Sequence, residues 1–266
     1  MSVQLEGSTA LVTGATGGIG QAIVRALHDR GAKVIASGRQ REVLDGIAGQ
    51  LDGVEPLVAD LSDPAQVATL VDGRRIDVLV ANAALPASGR LDSFTPEEID
   101  RALDVNLRAP MQLARALAPP MVERGAGHLV FISSLSGKMA SAGASIYNAT
   151  KFGLRGFSFA LNEELRGTGV GATTVFPGFI RDAGMFADSG AKLPRGVGTR
   201  TPGDVAKAVI QGIERNRAEI AVAPLSLSSG ARLFGLAPGL VAGINRRLGA
   251  DPIAESIAAG QRDKRS

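Results

Sequence analysis

The chain has no cysteine and no tryptophan, and only one tyrosine and two histidines among 266 residues. Without thiols there can be neither disulfides nor thiolate metal sites, which fits a reducing, cytoplasmic setting. His28 and His128 stand far apart and in no ligand spacing, so no metal site is expected. Charge of either sign is nearly balanced: 29 basic against 26 acidic residues leave a formal +3. The basic residues are scattered rather than gathered with aromatics in a stripe, so nucleic-acid binding is not expected. Arg262-Asp263-Lys264-Arg265 reads as a solvated tail. No basic region followed by a long apolar core opens the chain, so no secretory signal is expected. Long hydrophobic runs are missing as well. The apolar stretch from Leu225 to Ile244 is broken by Arg232, Pro238 and several glycines, which disfavours a spanning helix. It could cover a pocket, pack at a subunit interface, or lie on a membrane surface with Arg246 and Arg247 at its edge; the first two readings are favoured.

What is present is apolar content of 45%, enough for a sizeable core. No linker-like segment interrupts it, so one domain over residues 1–266 is expected. Short β-rich runs alternate with amphipathic segments: Thr9 to Thr13, Lys33 to Ser37, Val54 to Ala59, Ile76 to Ala81, His128 to Ser133, Ala172 to Phe176 and Ile220 to Ala223. Seven strands alternating with helices predict a doubly wound α/β fold with a parallel sheet covered on both faces. Thr95-Pro96-Glu97-Glu98 is a capping box with proline at the first helical position, and Thr201-Pro202-Gly203-Asp204 repeats the pattern. They open helices over roughly 96–124 and 202–216. Pro110, inside the first, cannot donate to the Asn106 carbonyl. That is either a kinked core helix or a carbonyl freed to hold water near an active site.

Tyr147 and Lys151 are four apart on a helical stretch, hence on one face. A phenol with a pKa of roughly 10 is a poor proton donor or acceptor at neutral pH, and a nearby ammonium lowers that value. Ser134 and Ser136 lie on the turn Ser133-Ser134-Leu135-Ser136-Gly137, after the run His128-Leu129-Val130-Phe131-Ile132. A loop there can carry a serine hydroxyl to the phenol. Between the first strand and a helix at Gln21 to Arg30 lies Thr13-Gly14-Ala15-Thr16-Gly17-Gly18-Ile19-Gly20, whose glycines permit a tight turn and close approach to a pyrophosphate at the helix N-terminus. The second strand ends in Ala36-Ser37-Gly38-Arg39. An acid that would favour NAD(H) is missing there, and Arg39 can answer a 2′-phosphate, so NADP(H) is expected; a solvated loop charge is the plainer alternative.

The T-G-x-x-x-G-x-G turn, a serine thirteen residues before the tyrosine and Y-x-x-x-K together resemble the short-chain dehydrogenase/reductase family, from about Ser8 through Pro177-Gly178. The resemblance implies a seven-stranded Rossmann domain and an oxidoreductase. It implies Tyr147 as general acid/base, Ser134 as donor to the substrate oxygen, Lys151 as ligand of the nicotinamide ribose, and Asn106 as holder of a relay water. For the cofactor it implies Thr13, Gly14, Thr16, Gly18, Ile19, Gly20, Arg39, Asp60 and Leu61 at adenine, Asn82 and Ala83, and Pro177, Gly178 and Ile180 beside nicotinamide. Asp60 could instead cap the following helix and Asn82 could be a turn residue. Ala81-Asn82-Ala83-Ala84 differs at two positions from the family's Asn-Asn-Ala-Gly, and Asp182 stands where many members carry threonine.

Phe179, Ile180, Met185, Phe186, Leu193 and Pro194 fall where the family places its substrate lid, near 179–200, and suggest an acyl, steroid or retinoid-like ketone; core packing would also explain them. A homodimer or homotetramer is expected by the same resemblance, through helices near 96–124 and 146–167. The rival reading is a catalytically silent nucleotide-binding sensor or scaffold of the same fold. It need not keep Asn106, Ser134, Tyr147 and Lys151 together, as this chain does.

Overall fold

The computed structural model describes residues 3–191, 193, 197–236, 239 and 256–261. Side chains on a strand alternate between faces, and here both faces are apolar. In β1 (Thr9–Thr13) Ala10 and Val12 enter one core and Leu11 the other. In β4 (Val78–Ala81) Val78 and Val80 oppose Leu79 and Ala81, and in β5 (Gly127–Ile132) Val130 and Ile132 oppose Leu129 and Phe131. Strands buried on both sides need helices on both sides.

With β2 (Lys33–Gly38), β3 (Val54–Val58), β6 (Val170–Pro177) and β7 (Glu219–Val222) they form one seven-stranded sheet in the order β3-β2-β1-β4-β5-β6-β7. All pairs are parallel. Each expected strand lies within two residues of an observed one. The order reverses between β1 and β4, and the carboxyl ends of strands at such a switch point leave a crevice for ligands.

Helix α1 (Gly18–His28) and α8 (Pro202–Arg215) supply Ile23, Val24, Leu27, Val205, Val209 and Ile213 to one core. On the other side α3 (Pro64–Thr69), α5 (Ala109–Arg124) and α6 (Ser145–Glu164) contribute Val67, Leu113, Leu117 and Leu154. Helix α2 (Arg41–Ala48) lies by β3, α4 (Pro96–Leu103) precedes α5, α7 (Gly184–Ser189) follows β6, and α9 (Leu225–Leu236) follows β7. Both expected capping boxes form, at Thr95 with Glu98 and at Thr201 with Asp204.

Two helix boundaries differ from expectation. Helix α1 begins at Gly18 rather than Gln21, because Gly17 is its N-cap and the last glycines of the turn are already helical. The helix expected over 96–124 is divided by a π turn at Asp104–Arg108, where the Ala109 N–H returns to the carbonyl of Asp104, five residues back. Pro110, with no N–H of its own, follows directly. Among the described residues no helix is long and apolar enough to cross a membrane, and no cluster of acidic or histidine side chains could hold a metal. Pro238, Ile244, Arg246, Arg247, Pro194 and the tail Arg262–Arg265 lie outside the described residues, as does the side chain of Arg232.

Candidate active site

The loop after β5 is pinned onto the start of α6. Asn148, buried, donates from Nδ2 to the carbonyls of Ser136 (2.7 Å) and Met139 (3.0 Å), and its Oδ1 accepts from the Ser141 N–H at 3.3 Å. A β-carbon on Gly137 would fall 2.6 Å from both the Lys151 carbonyl oxygen and Ser133 Oγ. Only glycine lets the loop approach this closely. Ser133 Oγ in turn donates to the Lys151 carbonyl at 3.1 Å. These contacts bring Ser134 to the first turns of α6, close enough to the Tyr147 phenol for its hydroxyl to favour the ionised form. Ser134 Oγ also accepts the Ser136 N–H at 3.1 Å. Sequence reading missed Asn148 and the tight fit at Gly137; a lone amide beside the tyrosine was the available signal.

Tyr147 packs against the small cluster of Ala87, Ala102 and Ile146, part of its surface still open. Burial pushes its phenol up to about 12, and the Ser134 hydroxyl pulls the other way. Lys151 is 1% exposed, donates from Nζ to the Ile132 carbonyl at 3.1 Å, and lies 5.6 Å from the Tyr147 ring centre. Burial brings its ammonium down to about 8. The expected lowering of the phenol by this lysine is therefore not what the protein alone produces. Desolvation dominates both groups and favours the neutral form of each.

Asn106 is fully buried in the π turn. Its Oδ1 accepts the Leu85 N–H at 2.7 Å and its Nδ2 donates to the Leu85 carbonyl at 2.9 Å, so the side chain behaves as an additional strand partner. The side chain is thus committed to structure, leaving main-chain chemistry as its contribution.

At the other end of the crevice, Gly14 has φ +65°, and a β-carbon there would meet Ala83 Cα at 2.7 Å. The Thr13 hydroxyl accepts the N–H groups of Asn82 (3.1 Å) and Ala83 (3.2 Å), while Asn82 Nδ2 donates to the Thr13 and Gly14 carbonyls at 3.0 and 3.1 Å. Thr13 and Asn82 thereby lock β1 to β4, and their side chains serve the scaffold. Gly17 caps α1 with no side-chain bond, leaving the N–H groups of Gly18, Ile19 and Gly20 at a helix N-terminus suited to phosphate. A β-carbon on Gly18 would lie 2.5 Å from the Ala183 methyl, so the segment after β6 passes directly over the turn. Thr16 leans on Gly38, which brings the turn beside Arg39, an exposed residue with no carboxylate partner among the described residues. The main-chain N–H groups of the cradle and the cation of Arg39 could both meet phosphate groups of a dinucleotide.

Asp60 is held by Ser62 and Arg101. Although burial raises it, the Ser62 N–H and the Arg101 guanidinium bring its carboxyl to about 2. The cap of α3 is Asp63, whose side chain accepts the Ala65 N–H, so the capping role considered for Asp60 belongs to its neighbour. Leu61 is buried. After β6, Pro177 is buried and Gly178 half-buried. The Ile180 side chain is in the core, and the residue bridges to Arg200. Asp182 has φ 70° and is exposed beside Arg181. The Phe179 and Phe186 rings lie with centres 5.0 Å apart and planes tilted by 58°, with Met185 and Leu193 part-buried nearby in sequence. The turn near Gln261 also reaches this segment: Gln261 Nε2 donates to the Met185 carbonyl at 2.8 Å.

The family model for short chain dehydrogenases matches residues 8–193. A ketoacyl reductase, HetN, of a Nostoc species is 36% identical over 230 residues, 82% of this chain and 79% of its own. A short-chain dehydrogenase from Sphingobium yanoikuyae, solved with NADPH, is 31% identical with a TM-score of 0.77, covering 88% of this chain and 94% of its own. A metagenomic short-chain oxidoreductase solved with NADP is 34% identical with a TM-score of 0.69, covering 84% and 99%.

Proposed function

The chain belongs to the short-chain dehydrogenase/reductase family and is an NAD(P)-dependent oxidoreductase; from that premise we propose that it interconverts a ketone and a secondary alcohol with NADP(H), Tyr147 acting as general acid and base. The observation that carries this reading is the gathering of Ser134, on the loop pinned after β5, with Tyr147 and the buried Lys151, one helical turn apart on α6 with the ammonium 5.6 Å from the phenol ring centre.

When bound, the nicotinamide gives or takes the hydride. In reduction the Tyr147 hydroxyl passes its proton to the substrate oxygen, and the Ser134 hydroxyl donates to that same oxygen as negative charge develops there. A phenol held neutral by burial is suited to this direction. Lys151 donates to the nicotinamide ribose, and the Asn106 carbonyl, which Pro110 cannot bond, holds the water that returns a proton to the site. Gly14, Thr16, Gly18, Ile19 and Gly20 receive the pyrophosphate. Pro177, Gly178 and the Ile180 main chain flank the nicotinamide, with Asp60, Leu61, Asn82 and Ala83 around adenosine.

The unpaired Arg39 beside Thr16 supports the 2′-phosphate, as do the NADPH and NADP held by the two solved relatives. Replacing Arg39 by Asp is expected to weaken NADPH much more than NADH in titration; an unchanged ratio would remove Arg39 from the phosphate site. The paired Phe179 and Phe186 rings support a lipophilic substrate, and the name of the Nostoc relative fits a 3-oxoacyl compound. Exposed Phe152 and Phe159, two turns apart on α6, support pairing with a second copy of the chain. Localisation in the cytoplasm rests on the absence of cysteine alone. NADPH oxidation across ketones and 3-oxoacyl thioesters tests the reaction class: turnover confined to such carbonyls is expected, and none with any of them would overturn it.

A further inference from the structure

Resting on the reading of Asp60 as the adenine contact, we propose that Arg101 on α4 is a positioning residue for adenine recognition, fixing the Asp60 carboxylate so that one acceptor position is kept for the base. Arg101 Nη2 donates to Asp60 Oδ2 at 2.8 Å, and Nη1 donates to Ser62 Oγ at 2.7 Å. Ser62 closes the triangle, giving its hydroxyl (2.8 Å) and its N–H (2.9 Å) to Asp60 Oδ1. A carboxylate oxygen has two lone pairs. Both on Oδ1 are therefore committed, whereas among the described residues Oδ2 accepts from Arg101 alone and retains one. That is the requirement for receiving a single N–H from an exocyclic amine.

The tether crosses 41 residues of sequence and joins the loop after β3 to α4. Asp60 and Arg101 are 30% and 27% exposed, so the pair sits at the rim of the crevice, shielded enough to hold its geometry and open enough to meet a ligand. The next residue on α4, Ala102, packs with Ile99 in the cluster that contains Tyr147. One short helix thus reaches from the adenine end to the catalytic tyrosine.

The test compares NADPH with its reduced hypoxanthine counterpart, in which the adenine amine is replaced by a carbonyl oxygen. Calorimetric titration of the parent is expected to show the hypoxanthine nucleotide binding roughly ten-fold weaker or worse, since a charge-assisted hydrogen bond is exchanged for two facing acceptors. In Arg101→Gln the ratio should fall to within about two-fold of unity. Ser62→Ala, which keeps the guanidinium but breaks the triangle, should give an intermediate ratio. It also decides the matter should Arg101→Gln fail to fold. A purely architectural Arg101 would lower the melting temperature and weaken both nucleotides alike; a ratio equal to the parent's in the folded variants overturns the proposal while leaving the Asp60 contact standing. A parent that does not discriminate removes the Asp60 contact itself, and the proposal with it.

Discussion

Lys151 and Tyr147 show how burial tunes a proton-transfer site. Each is moved toward its uncharged form, the lysine down to about 8 and the tyrosine up to about 12. An ammonium donor at the ribose is then present below about pH 8 and lost above it. We expect kcat/KM for NADPH in the reductive direction to fall about tenfold per pH unit above 8, since that ratio reports the free enzyme; a profile flat to pH 10 would contradict the role given to Lys151. Residue identities here were legible because tyrosine and lysine are few and Ser134 follows a strand at the spacing of a loop before the helix. Their environment was not. Spacing shows that Lys151 is near the phenol, but the desolvation that outweighs its charge comes from β5 and the loop folded over both. Asp182 is a similar case: its left-handed backbone is a property of the chain's path, which asparagine and aspartate tolerate without announcing it.

The segment from α4 to α5 shows what an element can and cannot reveal. Pro110 marks the position where regular helix hydrogen bonding must fail, and the π turn lies against it. Its form, and the pairing of Asn106 with both main-chain groups of Leu85, depend on a loop 21 residues earlier, beyond the reach of local patterns. Asn106→Ala would orphan a buried N–H and a buried carbonyl. The expected loss is about 2–4 kcal/mol of unfolding free energy, read in urea melts. A change below about 0.5 kcal/mol, within the usual range for an unremarkable surface site, would show that Leu85 finds other partners. The seating of the segment after β6 on Gly18 through Ala183, and its tie to Gln261, appears only in three dimensions.

At the scale of the whole molecule, a buried histidine couples the sheet to pH. His128, at the amino end of β5, meets Thr173 Oγ1 at 2.8 Å, and that hydroxyl gives its hydrogen to the Arg217 carbonyl at 2.7 Å. The imidazole must therefore donate from Nε2. Burial brings its pKa down to about 4, against an ordinary 6.5. Above pH 6.5 it is neutral in both folded and unfolded chains and the effect vanishes. As pH falls from 6.5 to 4 the unfolded chain takes up a proton that the folded one refuses, so stability drops by about 1.4 kcal/mol per unit within that window. Asp60, held near 2, adds its own loss only as pH falls below its ordinary 3.8. His128→Leu should flatten the stability profile between pH 6.5 and 4; an unchanged slope would assign acid sensitivity elsewhere. The alternation of apolar runs made the two-faced sheet legible. Strand order followed less directly, since parallel strands are joined by long crossovers that composition does not rank.

The central claim is that the Tyr147 hydroxyl exchanges a proton with the oxygen on the carbon that takes or gives the hydride. Its most direct test is NADPH oxidation with a ketone the parent reduces, comparing the parent with Tyr147→Phe at saturating cofactor. A loss of about 100- to 10,000-fold in turnover is expected, with NADPH binding retained. Equal turnover by the two proteins would contradict the account.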